Sequence, residues 1–130
     1  MSDRISGLAG VVIWTTAERY PAMRAFYVDT LGLAPRSDRD QFISFVLSDP
    51  SGPDDVRLNV SVHREVEGAA RDPLRVMLLL RVDDIEANST RLRAGGVTFL
   101  REPEQEPWGG WIATFTDPDG NIVQLLQPAD

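Results

Sequence analysis

Residues 114–130 read "TFTDPDGNIVQLLQPAD", and the reading of this stretch decides the fold. Asp117, Pro118, Asp119 and Gly120 spell a tight turn. Proline presets φ, aspartate side chains bond to the backbone just ahead of them, and glycine accepts the conformations other residues avoid. Asn121 onward reads as a strand in which Ile122, Gln124 and Leu126 share one face, because successive side chains point to opposite sides. Gln124 is a neutral amide, which raises the question whether this strand serves an active site or a pocket that only binds.

Working back towards the N-terminus, the same order of elements occurs twice. "GVVIWT" is a β-branched and aromatic run and reads as a strand. Ala22, Met23, Phe26, Tyr27 and Leu31 then fall at helical spacing, with Pro21 in the first turn and Gly32 as the stop. "QFISFVLSD" and "VRLNVSVH" read as a hairpin around the turn "PSGPDD". In the second half "LRVMLLLRV" is a strand, and "DDIEANSTRLRAGGV" is a helix capped by aspartate and ended by glycine. "VTFL", "WIATFTD" and "NIVQLLQ" complete the set as strands. The letters echo as well: Leu31–Leu33 against Gly95–Val97, and "SDPSG" against "TDPDG". This pattern predicts an α+β fold of two βαβββ modules, about 8–64 and about 73–128, within one domain spanning 1–130. Together the modules form a curved, mixed sheet that encloses a cleft.

Within "VRLNVSVH", Val56, Leu58, Val60 and Val62 share the face expected under the helix, and Arg57, Asn59, Ser61 and His63 share the face expected in the cleft.

Bulk properties exclude several classes of function. A chain of 130 residues fits one domain, and 13 Lys plus Arg against 20 Asp plus Glu give a formal charge of −7. Such a surface repels phosphate backbones and anionic lipid, so neither nucleic acid nor membrane is an expected partner, while cationic ligands would be steered towards it. There is no cysteine, which removes disulfides, thiolate metal sites and cysteine nucleophiles. No segment approaches the length needed to span a bilayer, and the first ten residues lack a signal-peptide core, so a cytoplasmic location is expected. His63 is the only imidazole, and no serine lies in a Gly-x-Ser-x-Gly turn, so nucleophilic triads are excluded. A lone histidine near a strand end reads as an ordinary hydrogen-bonded residue, although a general base is chemically open to it. The acidic residues of "DPDG", "REVEG" and "REPEQEP" read as turn formers and solvated charge.

With "AFYVDTLGL", "LRVDDIEA" and above all "FTDPDGNIVQLL" on the page, the chain resembles the vicinal oxygen chelate superfamily of glyoxalases, extradiol dioxygenases and bleomycin resistance proteins over nearly all its residues. That resemblance implies a divalent ion held at equivalent points of the two modules. The corresponding positions here are Gly10 or Val12 on the first strand, Asn59 on the hairpin strand, Met77 on the fifth strand and Gln124 on the last. None is a carboxylate or an imidazole, so no metal and no cofactor is expected.

The cleft lining expected instead is Trp14, Asn59, Ser61, His63, Met77, Leu79, Ile122, Gln124 and Leu126, with Trp108 and Trp111 of "EPWGGWIATF" at the mouth. Rings, a thioether and neutral amides suit a small aromatic organic ligand. The resemblance implies a homodimer that binds such a ligand, an antibiotic in self-resistance or a biosynthetic intermediate. Two alternatives remain at this stage. One is a cofactor-independent isomerase, epimerase or cyclase, and the other is a degenerate metal enzyme using Gln124, His63 and waters.

Overall fold

The computed structural model describes residues 6–48 and 55–130. The "SDPSG" echo from Asp49 onward and most of the "PSGPDD" turn lie outside the described residues. In chain order the elements are β1 (Gly10–Thr15), α1 (Tyr20–Ala25) continued by a π-helical stretch (Phe26–Thr30), β2 (Pro35–Arg39), β3 (Phe42–Val46) and β4 (Arg57–Val62). The second half contains β5 (Leu78–Arg81), α2 (Ile85–Ala94), β6 (Phe99–Gln105), β7 (Trp111–Thr116) and β8 (Ile122–Gln127). They form two four-stranded sheets with the same order, β1-β4-β3-β2 and β5-β8-β7-β6. In each, the first strand runs parallel to the last and the other pairs are antiparallel. The fold is α+β, as the duplicated pattern requires.

One core serves both halves. Ile43, Phe45, Leu58 and Val60 of the first sheet join Ala113, Phe115, Val123 and Leu125 of the second, together with Met23 and Tyr27 of the first helix and Ile85 and Leu92 of α2. The first helix touches both sheets: the Phe26 ring lies 6.2 Å from that of Phe115, and the Tyr27 ring lies 6.4 Å from that of Phe45. The helix-bearing faces of the two sheets therefore share the core, and the opposite faces carry no helix.

Three local expectations need correction. The first helix is not uniform: after Ala25 it widens, and the Leu31 amide reaches back to the Phe26 carbonyl at 2.8 Å, a π-type turn. Strand β2 carries no strand signal in the sequence, and β6 runs on through "REPEQ", where the charges predict a solvated stretch. Both are edge strands, rich in charge and proline, so neither shows the apolar alternation that marks a half-buried strand. Lastly, β5 covers only Leu78–Arg81 of "LRVMLLLRV", and Leu74 and Val76 lie outside it, 74% and 71% exposed.

The "DPDG" turn fastens the halves together. The Thr15 hydroxyl donates to Asp119 Oδ2 at 2.6 Å, and Arg19 approaches Asp119 Oδ1 at 3.4 Å. Tyr27 donates to Asp117 Oδ2 at 2.8 Å, where the Asn121 side-chain amide also donates at 2.8 Å. Asp117 Oδ1 accepts from the Asp119 and Asn121 backbone amides at 2.9 and 3.0 Å. Both carboxylates are buried. Burial raises the Asp117 pKa against the pull of these hydrogen bonds, and burial beside Asp117 raises that of Tyr27. With their oxygens occupied by the fold, these acids serve structure, in keeping with their reading as turn formers.

Candidate ligand-binding site

Strand register sorts the candidate residues into rows. On the uncovered face of the first sheet, Val12 lies beside Asn59, Asn59 beside Ser44, and Ser44 beside Ser37. On that of the second, Leu79 lies beside Gln124, Gln124 beside Thr114, and Thr114 beside Arg101. Each row thus runs aliphatic, amide, hydroxyl. The register also separates the two first-strand positions, Gly10 and Val12. Gly10 lies opposite Arg57, and a Cβ there would overlap the Arg57 carbonyl, so close backbone approach accounts for the glycine and Val12 is the row residue. On the fifth strand the residue beside Gln124 is Leu79; Met77 precedes β5 and sits off the row.

The two rows differ in how they satisfy their polar atoms. In the second sheet the Gln124 amide nitrogen donates to Thr114 Oγ1 at 3.1 Å, and Arg101 is held by Glu106 at 2.7 Å. In the first, Asn59 Oδ1 and Ser44 Oγ are both buried and have no partner. Only four such side-chain atoms occur among the described residues, the others being Tyr20 Oη and Ser89 Oγ, and of the four only those of Ser44 and Asn59 belong to cross-strand neighbours. An unmet buried polar group costs about 1–3 kcal/mol. Ser44 escaped the sequence reading because a serine in "FISFV" looks like any strand residue; only its neighbour across the sheet gives it meaning.

The remaining candidates divide. Trp14 shares the uncovered face, is 47% exposed, and meets the His63 ring edge-on with centroids 5.1 Å apart. The His63 Nδ1 accepts from the Glu65 amide at 3.1 Å, so the imidazole is tied into its own turn. Ser61 faces the same side between Trp14 and Phe42, with its hydroxyl 3.3 Å from the Gln41 carbonyl. Ile122 and Leu126 flank Gln124 on the second sheet's uncovered face. Trp111 leaves the set as a correction: it shares a strand face with Ala113 and Phe115, so it packs against the core. Trp108, 58% exposed, lies over Gly110, where any Cβ would strike the ring.

A divalent ion does not fit this lining. Val12 and Leu79 are hydrocarbons, Asn59 and Gln124 are neutral amides, and the Gln124 nitrogen is engaged by Thr114. Among the described residues no three His, Asp or Glu side chains gather where one ion could take them. Hard dications demand a shell of several anionic or imidazole donors, which these rows do not supply.

Separately, a groove of about 590 Å³ opens between the halves, walled by Val11, Leu31, Leu58, Leu78 and Leu80 with Arg57 and Arg81. Of the expected lining it takes only Met77 and Leu79. No helix among the described residues is long and apolar enough to cross a membrane.

Comparison with known proteins agrees with the fold. The family model described as Glyoxalase/Bleomycin resistance protein/Dioxygenase superfamily matches residues 12–125. An uncharacterized protein of Shewanella frigidimarina is 38% identical over 56 residues, 43% of this chain and 41% of that protein. The chain spans less than half the length of the curated relatives it matches. Among solved structures, TnmS3, an antibiotic binding protein from Streptomyces sp. CB03234, is 27% identical with a TM-score of 0.69, covering 96% of this chain and 98% of its own. A glyoxalase/bleomycin resistance protein from the same organism is 26% identical with a TM-score of 0.65, covering 93% and 100%.

Proposed function

We propose that this chain, which belongs to the Glyoxalase/Bleomycin resistance protein/Dioxygenase superfamily, is a metal-independent small-molecule binding protein that sequesters an aromatic antibiotic or natural product. The observation that carries this reading is the pair of rows themselves. Positions that would grip an ion hold Val12, Leu79, Asn59 and Gln124, while Trp14 stands open beside them as an apolar wall. Likeness to an antibiotic binding protein along nearly the full chain supports the same direction.

The uncovered faces also support assembly as a homodimer. Val12 and Trp14 on the first sheet and Leu79 on the second are 43%, 47% and 55% exposed, a degree of apolar exposure that marks an interaction surface. A second copy laid on these faces would close a cleft around the ligand, with each wall drawn from a different subunit.

The test is titration of planar aromatic antibiotics into the purified chain. Quenching of tryptophan emission that EDTA leaves unchanged, with the compound recovered intact by mass spectrometry, is the expected result. Chelator-sensitive binding or steady conversion of the compound overturns the reading. Size-exclusion with light scattering should give twice the chain mass, and a monomer at micromolar concentration would retire the shared cleft.

A further inference from the structure

We infer that the groove between the halves is a second binding site, and that its ligand is a free aliphatic carboxylate. The hydrocarbon tail lies among the leucines, and the carboxylate meets Arg57 and Arg81. This site is separate from the aromatic one proposed on the uncovered faces, and neither depends on the other.

Strand alternation gives the groove a wall and a lip. Leu58, Leu78 and Leu80 belong to the core-side faces of β4 and β5, with Val11 of β1 and Leu31 at the end of the first helix beside them. Arg57 and Arg81 take the opposite parity on the same two strands, so they edge the leucine wall instead of interrupting it. The volume of about 590 Å³ lies within the about 300–1,000 Å³ usual for small-molecule sites. No aromatic ring lines the groove among the described residues, so an alkyl chain matches its wall better than a stacked ring system does.

Charge picks out the head group. The chain has 20 acidic residues against 13 basic, yet no Asp or Glu lines the groove among the described residues. Arg57 and Arg81 enter none of the ion pairs formed among those residues. Asn88, the remaining polar liner, has its side chain engaged by the Asp84 carbonyl and by Arg91. Two guanidinium groups with donors to spare therefore edge a hydrocarbon slot, and the guanidinium fork matches a carboxylate. A neutral or cationic amphiphile would fill the wall and leave those donors unanswered. The −7 surface repels an anionic bilayer, which points to a carboxylate free in solution as the occupant.

Isothermal titration of the full chain with octanoate, 1-octanol and octyltrimethylammonium, each below its micellar concentration, tests the assignment. Octanoate should bind at one site per chain and at least about tenfold more tightly than 1-octanol, with the ammonium weakest. Decanoate should gain about tenfold over octanoate, because each further buried methylene adds to the transfer free energy. Arg57→Gln and Arg81→Gln should each weaken octanoate about fivefold or more and leave 1-octanol within about twofold. Arg39→Gln makes the same change in net charge at an arginine that also lacks an ion pair but lies outside the groove, and octanoate should bind it as it binds the wild type. None of the three arginines is buried, so ligand-free melting temperatures near that of the wild type are expected and certify the fold.

Equal affinity for octanoate and 1-octanol overturns the guanidinium site, and an equal loss in Arg39→Gln reduces the effect to net charge and does the same. Failure of all three probes to saturate means that the groove is closed in solution, by a second copy or by the chain itself, and removes the site. Vesicles of phosphatidylglycerol should not pull the chain down on sedimentation. If they do, the occupant is a lipid surface and the free carboxylate falls.

Discussion

Two rows of side chains cross the uncovered faces of this molecule in the same order, yet only one is complete. Leu79, Gln124 and Thr114 close on themselves through a 3.1 Å hydrogen bond; Val12, Asn59 and Ser44 do not. One sheet carries glutamine beside threonine, the other asparagine beside serine. The contrast teaches that duplication supplies two rows of the same order, and that the two need not satisfy their polar atoms in the same way.

The harshest way to break the comparison is to loosen the frame that holds both rows. Asp117→Ala removes the acceptor of four hydrogen bonds from a buried site and should cost about 3 kcal/mol or more in urea unfolding. A loss below about 1 kcal/mol would show that the turn does not bind the halves together. The same residue gives a pH signature. Burial raises its folded pKa above the ordinary 3.8, so the native state holds this proton more tightly than the unfolded chain does. The stability that it contributes is therefore fully present below 3.8 and is lost as pH rises through the raised value. Subtracting the curve of Asp117→Asn should isolate that decline, and a flat difference would contradict it.

A smaller effect makes the closed row resemble the open one. Thr114→Ala strands the Gln124 amide and should cost about 1–2 kcal/mol by chemical denaturation. If that is not felt, the closed pair contributes nothing and the contrast between the rows is empty. Smallest, and opposite in sign, is Ser44→Ala, which deletes an unmet buried hydroxyl and should stabilise the free protein by about 0.5 kcal/mol. Destabilisation there would mean that the open row is not open.

The overall fold was legible because turn chemistry, helix stops and strand runs all repeated in the same order, and agreement between levels specifies a structure. Strands β2 and β6 were hidden because charged edge strands lack the alternation that reading depends on. For the site, parity alone put Asn59, Ser61 and Trp14 on one side, correctly away from Leu58 and Val60. Parity fails at its origin, however. The place of Trp111 beside the glycines points to the cleft mouth, whereas its even spacing with Ala113 and Phe115 sends it to the core. Which amide lies beside which hydroxyl is a property of register between distant strands, and "FISFV" read alone cannot announce that Ser44 will stand next to Asn59.

The outer strands carry a further consequence. Each sheet has one guarded margin, β2 with Arg36, Asp38 and Arg39 or β6 with Arg101, Glu102, Pro103 and Glu104, while its other margin, β1 or β5, is mainly aliphatic and aromatic. Charge and proline on the guarded side discourage the strand-to-strand stacking from which fibrils grow. The β1 and β5 margins lack that charge and proline, so an approaching strand meets less resistance there than at β2 or β6.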